Sequence, residues 1–453
     1  MRRTKASQQD GASTSTSPVT AAQGTGESSG RVATSVDRTL TSKRRLQRRT
    51  IPLAVLPQPL QAGVRKVFDL RRFLLVIGLT IGVLLLPEPP GLAPEGQRAL
   101  ALFVFTGAIL SLEPVSLPIA ALLVPICQIA LGIDTASGAF APFGQPVLFL
   151  ILGSLFLAEA LRKHGLTRRI ALYTIVLSKG RTRLLLLGIM AVAAFLSMWV
   201  LNTATVAVLI PVAISIAQHI RPAERAPRML EVLILGIAFS ASIGGMGTVM
   251  GSGENAIASG LLDQIEEFTF VDWLRFGGPL VVILLPLSWF LLLRALPIGT
   301  VFIDTEPASK EIERLGSLKG PEREILGVLG LSVALWIAGA TIESLLNLPD
   351  TLLSSAVVAI GAVALLSIEE VVDWNDLKGV NWGVFFVIGA GLTLGDALDK
   401  SGANAWLANM LAPILQGLPY EALLVIMVLL GFSITQFMNN VTLGAILAPV
   451  LIT

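Results

Sequence analysis

MWVLNTATVAVLIPV, residues 198–212, lies in one of the most apolar parts of a 453-residue chain, yet Asn202, Thr203 and Thr205 interrupt it and Pro211 follows. The apolar run around it extends from Leu184 to about Ile220. Basic segments bound it on both sides: LRKHGLTRR and SKGRTR within 161–183, then Arg221, Arg225 and Arg228. Basic loops collect on the cytoplasmic side of a membrane, so both ends of the run belong to one side. A straight helix of about 36 residues would reach about 54 Å, against about 30 Å of hydrocarbon. The run is therefore expected to be a re-entrant helical hairpin, about 184–220, that turns at LNTAT. Non-helical backbone at membrane depth persists only where protein or a watered cavity satisfies it, so the polar tip is expected to line a site.

The bulk composition agrees with a membrane protein. The chain is 53% hydrophobic and 14% charged, with a mean hydropathy of +0.76, too little charge to cover a soluble surface of this size. Two histidines and one cysteine, Cys127, exclude a disulfide framework and a Cys/His zinc cluster. Residues 1–72 are rich in Ser, Thr, Gln and Gly, carry TSKRRLQRR (41–49), and lack hydrophobic periodicity. They are expected to form a disordered basic cytoplasmic tail, with an organellar transit segment as the rival.

Threading the spans with charge gives crossings at 73–87, 98–113, 115–132 and 146–161, then the hairpin. A broken helix follows at about 229–262, interrupted by SASIGGMGTVMGSGEN (240–255), and then a span at 273–294. A charged cytoplasmic connector at 297–322 leads to spans at 323–346, 351–368 and 382–398 and a last apolar run at about 420–453. The outer side takes Glu88, Asp134, Asp263, Glu266 and Glu267. The fold class is thus an all-α polytopic membrane protein.

The two parts, 73–296 and 323–453, repeat each other. EALRKHG (159–165) matches DALDKSG (396–402) at an offset of 237, and SMWVLNTATVAVLIPV (197–212) matches TQFMNNVTLGAILAPV (435–450) at 238. Asn202 falls on Asn440 and Pro211 on Pro449. Charge places the first hairpin on the cytoplasmic side and the second on the outer side, which is an inverted-topology repeat with its sites near mid-membrane.

These motifs resemble the divalent anion/sodium symporter family, which includes dicarboxylate, citrate and sulfate carriers. That family carries an SNTAT-like tip followed by proline on each of two hairpins, and a broken helix reading SASIGG-x-GT-x-x-GTPPN. GSLFLAEALRKHGLTRRIAL (153–172) and DWNDLKGVNWGVFFVIGAGLTL (373–394) are similar to it as well. The resemblance runs from about Phe73 to Thr453. It implies a sodium-coupled carrier of a small divalent anion in a homodimer, with no cofactor beyond Na+ as coupling ion. It implies a first sodium site from Ser197 and Asn202 with carbonyls of the 244–251 break, Gly244, Gly245 and Gly247 among them. Thr435 and Asn440 would make the second, and the tip residues Asn202, Thr203, Asn439 and Asn440 would hold the anion. The lipid bilayer is the other expected partner; nucleic acid is not one. A bacterial inner (plasma) membrane with the N-terminus cytoplasmic is the implied location.

The chain departs from that pattern. Leu201 and Asn439 stand where the family has serine, Val441 where it has threonine, and Gly253 and Glu254 where it has two prolines. Glu254 reads as a paired or outward-leaning carboxylate at a wet span end, with a proton or cation site as its alternative. Glu159 and Asp396 read as interfacially solvated, with coupling chemistry as the alternative, and His164 and His219 as solvated. The repeat also leads one to expect a partner of the 229–262 broken helix beyond residue 453, so a C-terminal truncation is expected. A non-transporting relative, sensor or scaffold, and a proton-coupled or exchange carrier are the alternative functions. An enzyme is not expected: no HExxH, GxSxG or GxxxxGK[ST] occurs, and GMGTVMG (245–251) has the wrong spacing for a dinucleotide fingerprint.

Overall fold

The computed structural model describes residues 68–452 apart from 300, 350, 416 and 437; the expected disordered tail therefore lies almost wholly outside the described residues. Helix α1 (Leu70–Leu85) starts three residues before its expected span because the Asp69 carboxylate caps it, accepting from the Arg71 and Arg72 amides. Prolines in the first turn start α2 (Pro94–Leu112), α3 (Leu117–Ala130) and α5 (Pro146–Lys163), where their missing N–H costs nothing. The short α4 (Ala136–Phe140) precedes a 3-10 turn that meets α5 at a 46° bend.

The chain continues through α6 (Leu166–Leu177), α7 (Thr182–Ser197), α8 (Asn202–Gln218), α9 (Ala226–Gly245), α10 (Gly253–Leu262) and α11 (Phe270–Ala295). Then come α12 (Glu306–Leu315), α13 (Gly320–Leu346), α14 (Ser355–Ile368), α15 (Trp374–Leu377), α16 (Trp382–Lys400), α17 (Ala403–Leu415), α18 (Tyr420–Thr435) and α19 (Asn440–Ile452). Helices α9, α11, α13 and α16 are each long and apolar enough to cross a bilayer.

Two segments outside the expected spans are helical. Residues 166–177 and 403–415 form α6 and α17, short helices each following a glycine in the left-handed conformation, Gly165 (φ 70°) and Gly402 (φ 71°). The helix bounds also recur at the spacing found in the sequence. Shifted by 238, α7 falls on 420–435, the bounds of α18, and the start of α8 on that of α19.

Helices α7 and α8 fold back on each other. The Thr182 hydroxyl at the start of α7 donates to the Val301 carbonyl at 2.8 Å. Past the end of α8, strand β1 (Ile220–Arg221) pairs antiparallel with β2 (Phe302–Ile303). Both outer ends of the pair thus rest on one segment. With 16 and 17 residues, each arm is about 25 Å long.

Polar contacts sort the loops into two faces. On one, Lys163 pairs with Asp376 at 2.6 Å, Arg168 with Glu311 at 3.1 Å, and the basic α6 packs on the connector helix α12. On the other, Lys400 bridges Asp134 (2.9 Å) and Asp396 (2.7 Å), and Trp406 donates to the Pro90 carbonyl at 3.1 Å. Asp396 and Glu159, which pairs with Arg162, are therefore ion-paired rather than simply solvated. His164 is not simply solvated either, since its Nε2 lies 2.9 Å from the Val371 carbonyl oxygen and ties α5 to the loop after α14.

Burial opposes the charge of Asp376, but the Lys163 ammonium and the Asp373 amide hold its carboxyl below the ordinary carboxylate range. A lowered folded pKa contributes stability that is present above the unfolded value, about 3.9, and is lost as pH falls through the folded one. Wild-type protein should therefore melt higher than Asp376→Asn at pH 7, with the gap closing as pH is taken below about 4. Melting curves of both proteins between pH 7 and 3 check this; a gap independent of pH would deny the charge its role.

Candidate functional site at the helix tips

The first tip is held by stacking. Trp199, between α7 and α8, stacks on Trp336 of α13 at 6.0 Å and on Phe270 of α11 at 6.4 Å. Leu201 takes the N-cap position of α8 and offers no side-chain acceptor, so the first amides of α8 lack a side-chain cap. Exposed Thr203 lines a cavity of about 340 Å³ with Glu159, Arg162, Thr167 and Asn381. Thr205, 2% exposed, leaves its hydroxyl without a partner among the described residues.

The break between α9 and α10 lies against this tip. The Asn255 amide nitrogen donates to the carbonyls of Gly245 (2.7 Å) and Thr248 (2.8 Å), tying the non-helical turn together. The Thr248 hydroxyl donates to the Met198 carbonyl, and Trp273 Nε1 donates to that of Met246 at 3.0 Å. Backbone meets backbone here, which leaves no room for side chains. A Cβ on Gly244 would strike the Ala194 backbone, and one on Gly251 would come within 2.9 Å of the Ser197 carbonyl oxygen.

Asn202 is the centre of this contact. Its Oδ1 accepts from the Ser197 hydroxyl at 2.6 Å. Turned by 180°, the amide would place its nitrogen 3.0 Å from the Ala241 carbonyl oxygen and 3.3 Å from that of Gly251. That orientation satisfies the amide, since its nitrogen then meets three acceptors, the third being the Ser197 hydroxyl at 2.6 Å. Polar groups of α7, α9 and the break thus converge on the Asn202 amide at the start of α8.

Of the residues expected around this point, Ser197, Asn202 and Gly245 meet, since a Cβ on Gly245 would land on Asn202 Oδ1. The carbonyls of the three glycines are engaged elsewhere. That of Gly244 accepts from the Gly247 amide at 2.9 Å, that of Gly245 from Asn255, and that of Gly247 faces Gly277 of α11. Ala241 and Gly251 present their carbonyls instead. Asn255 falls on the last residue of the broken-helix motif and Ala241 within its first part, but the motif does not tell their roles, because one braces the turn and the other acts through its backbone.

The second tip repeats the first hydrogen bond. The Thr435 hydroxyl donates to Asn440 Oδ1 across the same five-residue spacing as Ser197 and Asn202. Here Asn439 caps α19, its Oδ1 accepting from the Val441 amide at 2.8 Å. The matching position in the first tip is the incompetent Leu201. Both tips converge on the break: Gly251 lies against Ser197, Gly253 against Val441, and Glu254 against Gly444. Glu254 thus stands at the start of α10 beside α19, and not at the wet end of the span, which is Asp263.

Residues 68–453 match the family described as sodium:sulfate symporter transmembrane region. An uncharacterized transporter of Haemophilus influenzae is 32% identical over 372 residues, covering 80% of this chain and 77% of its own length. An uncharacterized transporter of Methanocaldococcus jannaschii is 31% identical over 359 residues, with 79% of each chain covered. The sodium-dependent dicarboxylate transporter SdcS of Staphylococcus saprophyticus is 29% identical over 411 residues, covering 83% of this chain and 78% of its own. With a match over its whole apolar region and helices long enough to span a bilayer, this chain is an integral membrane protein that belongs to the divalent anion/sodium symporter family.

Proposed function

We propose that the protein is a secondary active transporter that couples sodium movement to symport of a small divalent anion: a dicarboxylate, citrate or sulfate. The observation that carries this reading is the convergence of both polar tips on the break between α9 and α10, with the Ser197–Asn202 contact repeated at Thr435–Asn440. Ser197 and Asn202, with backbone carbonyls of the break, form the first sodium site. Thr435 and Asn440 form the second sodium site on the same pattern.

The anion takes the uncapped first amides of α8 with Thr203, and the amide nitrogens of Asn439 and Asn440, since helix N-termini and N–H donors favour negative charge. Each helix pair, α7–α8 and α18–α19, is a re-entrant hairpin, and the two belong to inverted repeats, 73–296 and 323–453, joined by the connector 297–322. The basic face is cytoplasmic, the membrane is a bacterial plasma membrane, and two copies assemble as a dimer whose scaffold the tip-bearing part moves against.

The test is uptake of labelled succinate, citrate and sulfate into proteoliposomes holding the full chain. At least one is expected to accumulate under an inward sodium gradient and not without it. Absence of flux for all three would overturn this reading.

A further inference from the structure

We propose that Arg162 is a further specificity-determining residue: it takes the second carboxylate of the transported anion, so the carrier prefers an anion with a charge at each end of a short chain to a compact one such as sulfate. This rests on the sodium-coupled reading above and deepens its anion site. The tips account for one end of such an anion. The cavity of about 340 Å³ beside the first tip has room for the rest, within the range of small-molecule sites.

Donors line that cavity. Glu159 holds Arg162 by one edge only: Nε donates to Oε2 at 2.7 Å and Nη2 to Oε1. A guanidinium carries five N–H groups in a rigid fork, and Nη1 meets no acceptor among the described residues. Arg162 is thus oriented by Glu159 and keeps a second edge that matches a carboxylate bidentately. Asn381 commits its Oδ1 to the Gly383 amide at 3.2 Å, which leaves its amide nitrogen as the end that donates. Thr205 is the independent sign of a missing ligand. It lines the cavity, is 2% exposed, and its hydroxyl has no partner among the described residues. Buried helical threonines of this chain ordinarily give that proton to the carbonyl four residues back, as Thr80 and Thr106 do.

The carboxylates on this side are occupied, Glu159 by Arg162 and Asp376 by Lys163, so neither opposes the anion as a free charge. Between the polar groups, buried Leu155, Leu196 and Val200 give the cavity an apolar wall. The methylenes of a dicarboxylate suit that wall. A sulfate ion carries oxygens on every side, and those turned to the wall would lose water without gaining a donor. A monocarboxylate of the same length fills the space but leaves the Arg162 edge and the Thr205 hydroxyl unpaired, which is how a site built for a polar group rejects the analogue that lacks it.

The test is sodium-driven uptake of labelled succinate (or of citrate, where the wild type carries that instead) by the full chain in proteoliposomes. Unlabelled substrate is expected to compete about tenfold better than sulfate or than butyrate, which is succinate without its second charge. Arg162→Gln should raise KM about tenfold, leave maximal uptake within about twofold, and bring the substrate close to butyrate as a competitor. Arg162→Lys, which keeps the charge without the fork, should fall between. A residue that only braces α5 through Glu159 predicts lower maximal uptake at an unchanged KM, and that result overturns the proposal. The double variant Glu159→Gln, Arg162→Gln leaves no charge unpaired and gives the same reading where the single one does not fold. Thr205→Val loses no hydrogen bond and keeps the fold, and should raise KM about threefold; an unchanged KM also overturns the proposal. A wild type that carries sulfate and neither carboxylate overturns this inference and leaves the carrier reading intact, whereas one that carries none of the three overturns both.

Discussion

Asn202→Ala is expected to lower sodium-driven anion uptake about a hundredfold, equivalent to about 2.8 kcal/mol, while the protein still folds. The variant removes the amide on which Ser197 and the Ala241 and Gly251 carbonyls converge. Thermal protection by sodium separates a ligand from a strut. A cation ligand predicts that the wild type melts higher with sodium and Asn202→Ala does not, with similar melting points in its absence. A strut that only donates to the two carbonyls predicts a lower melting point for the variant under both conditions. Asn202→Asp sharpens the contrast, because aspartate keeps the oxygen and cannot donate. Retained sodium protection in that variant is the expected result; its loss, together with a lowered melting point, would assign Asn202 to bracing the backbone.

The readable part of this molecule is the part that charge and periodicity encode. Arginines on both flanks of 184–220 predict a turn at LNTAT, and the outer ends of α7 and α8 both meet the 301–303 segment. The likeness of the two tips is legible because Asn202 and Asn440 keep the same local contact, which fixes the spacing to the preceding hydroxyl. The hidden part acts through backbone or through neighbours distant in sequence. Ala241 offers only a carbonyl, which every residue has. Gly247 looks like its neighbours Gly244 and Gly245 but faces α11 because Gly277 allows that helix to touch the break. Helix α6 was hidden by its arginines: LTRRIALYTIVL reads as a basic loop until Arg169 is seen to bury its charge.

That arginine carries the largest expected effect on stability. Arg169 and Glu322 are 4% and 8% exposed, with Nε and Nη2 donating to the two carboxylate oxygens at 3.1 and 3.0 Å. Arg169 also donates to the Gly316 carbonyl at 2.7 Å, and Glu322 accepts from the Lys319 amide at 2.7 Å, so both charges are satisfied beyond the pair itself. The pair ties α6 to the start of α13 and, through α12, to the side on which the hairpin ends rest. Arg169→Met leaves the carboxylate buried and uncompensated, and is expected to destabilise the protein by about 3–5 kcal/mol, whereas replacing both residues by apolar ones costs far less. Thermal unfolding in detergent of Arg169→Met, Glu322→Leu and the double variant measures the difference. The double variant should regain most of the lost melting temperature, because the penalty lies in the unpaired charge and not in the missing attraction. If it melts as low as Arg169→Met, the seam depends on the backbone contacts of the guanidinium at Gly316 and Leu315, and the ion pair is secondary to them.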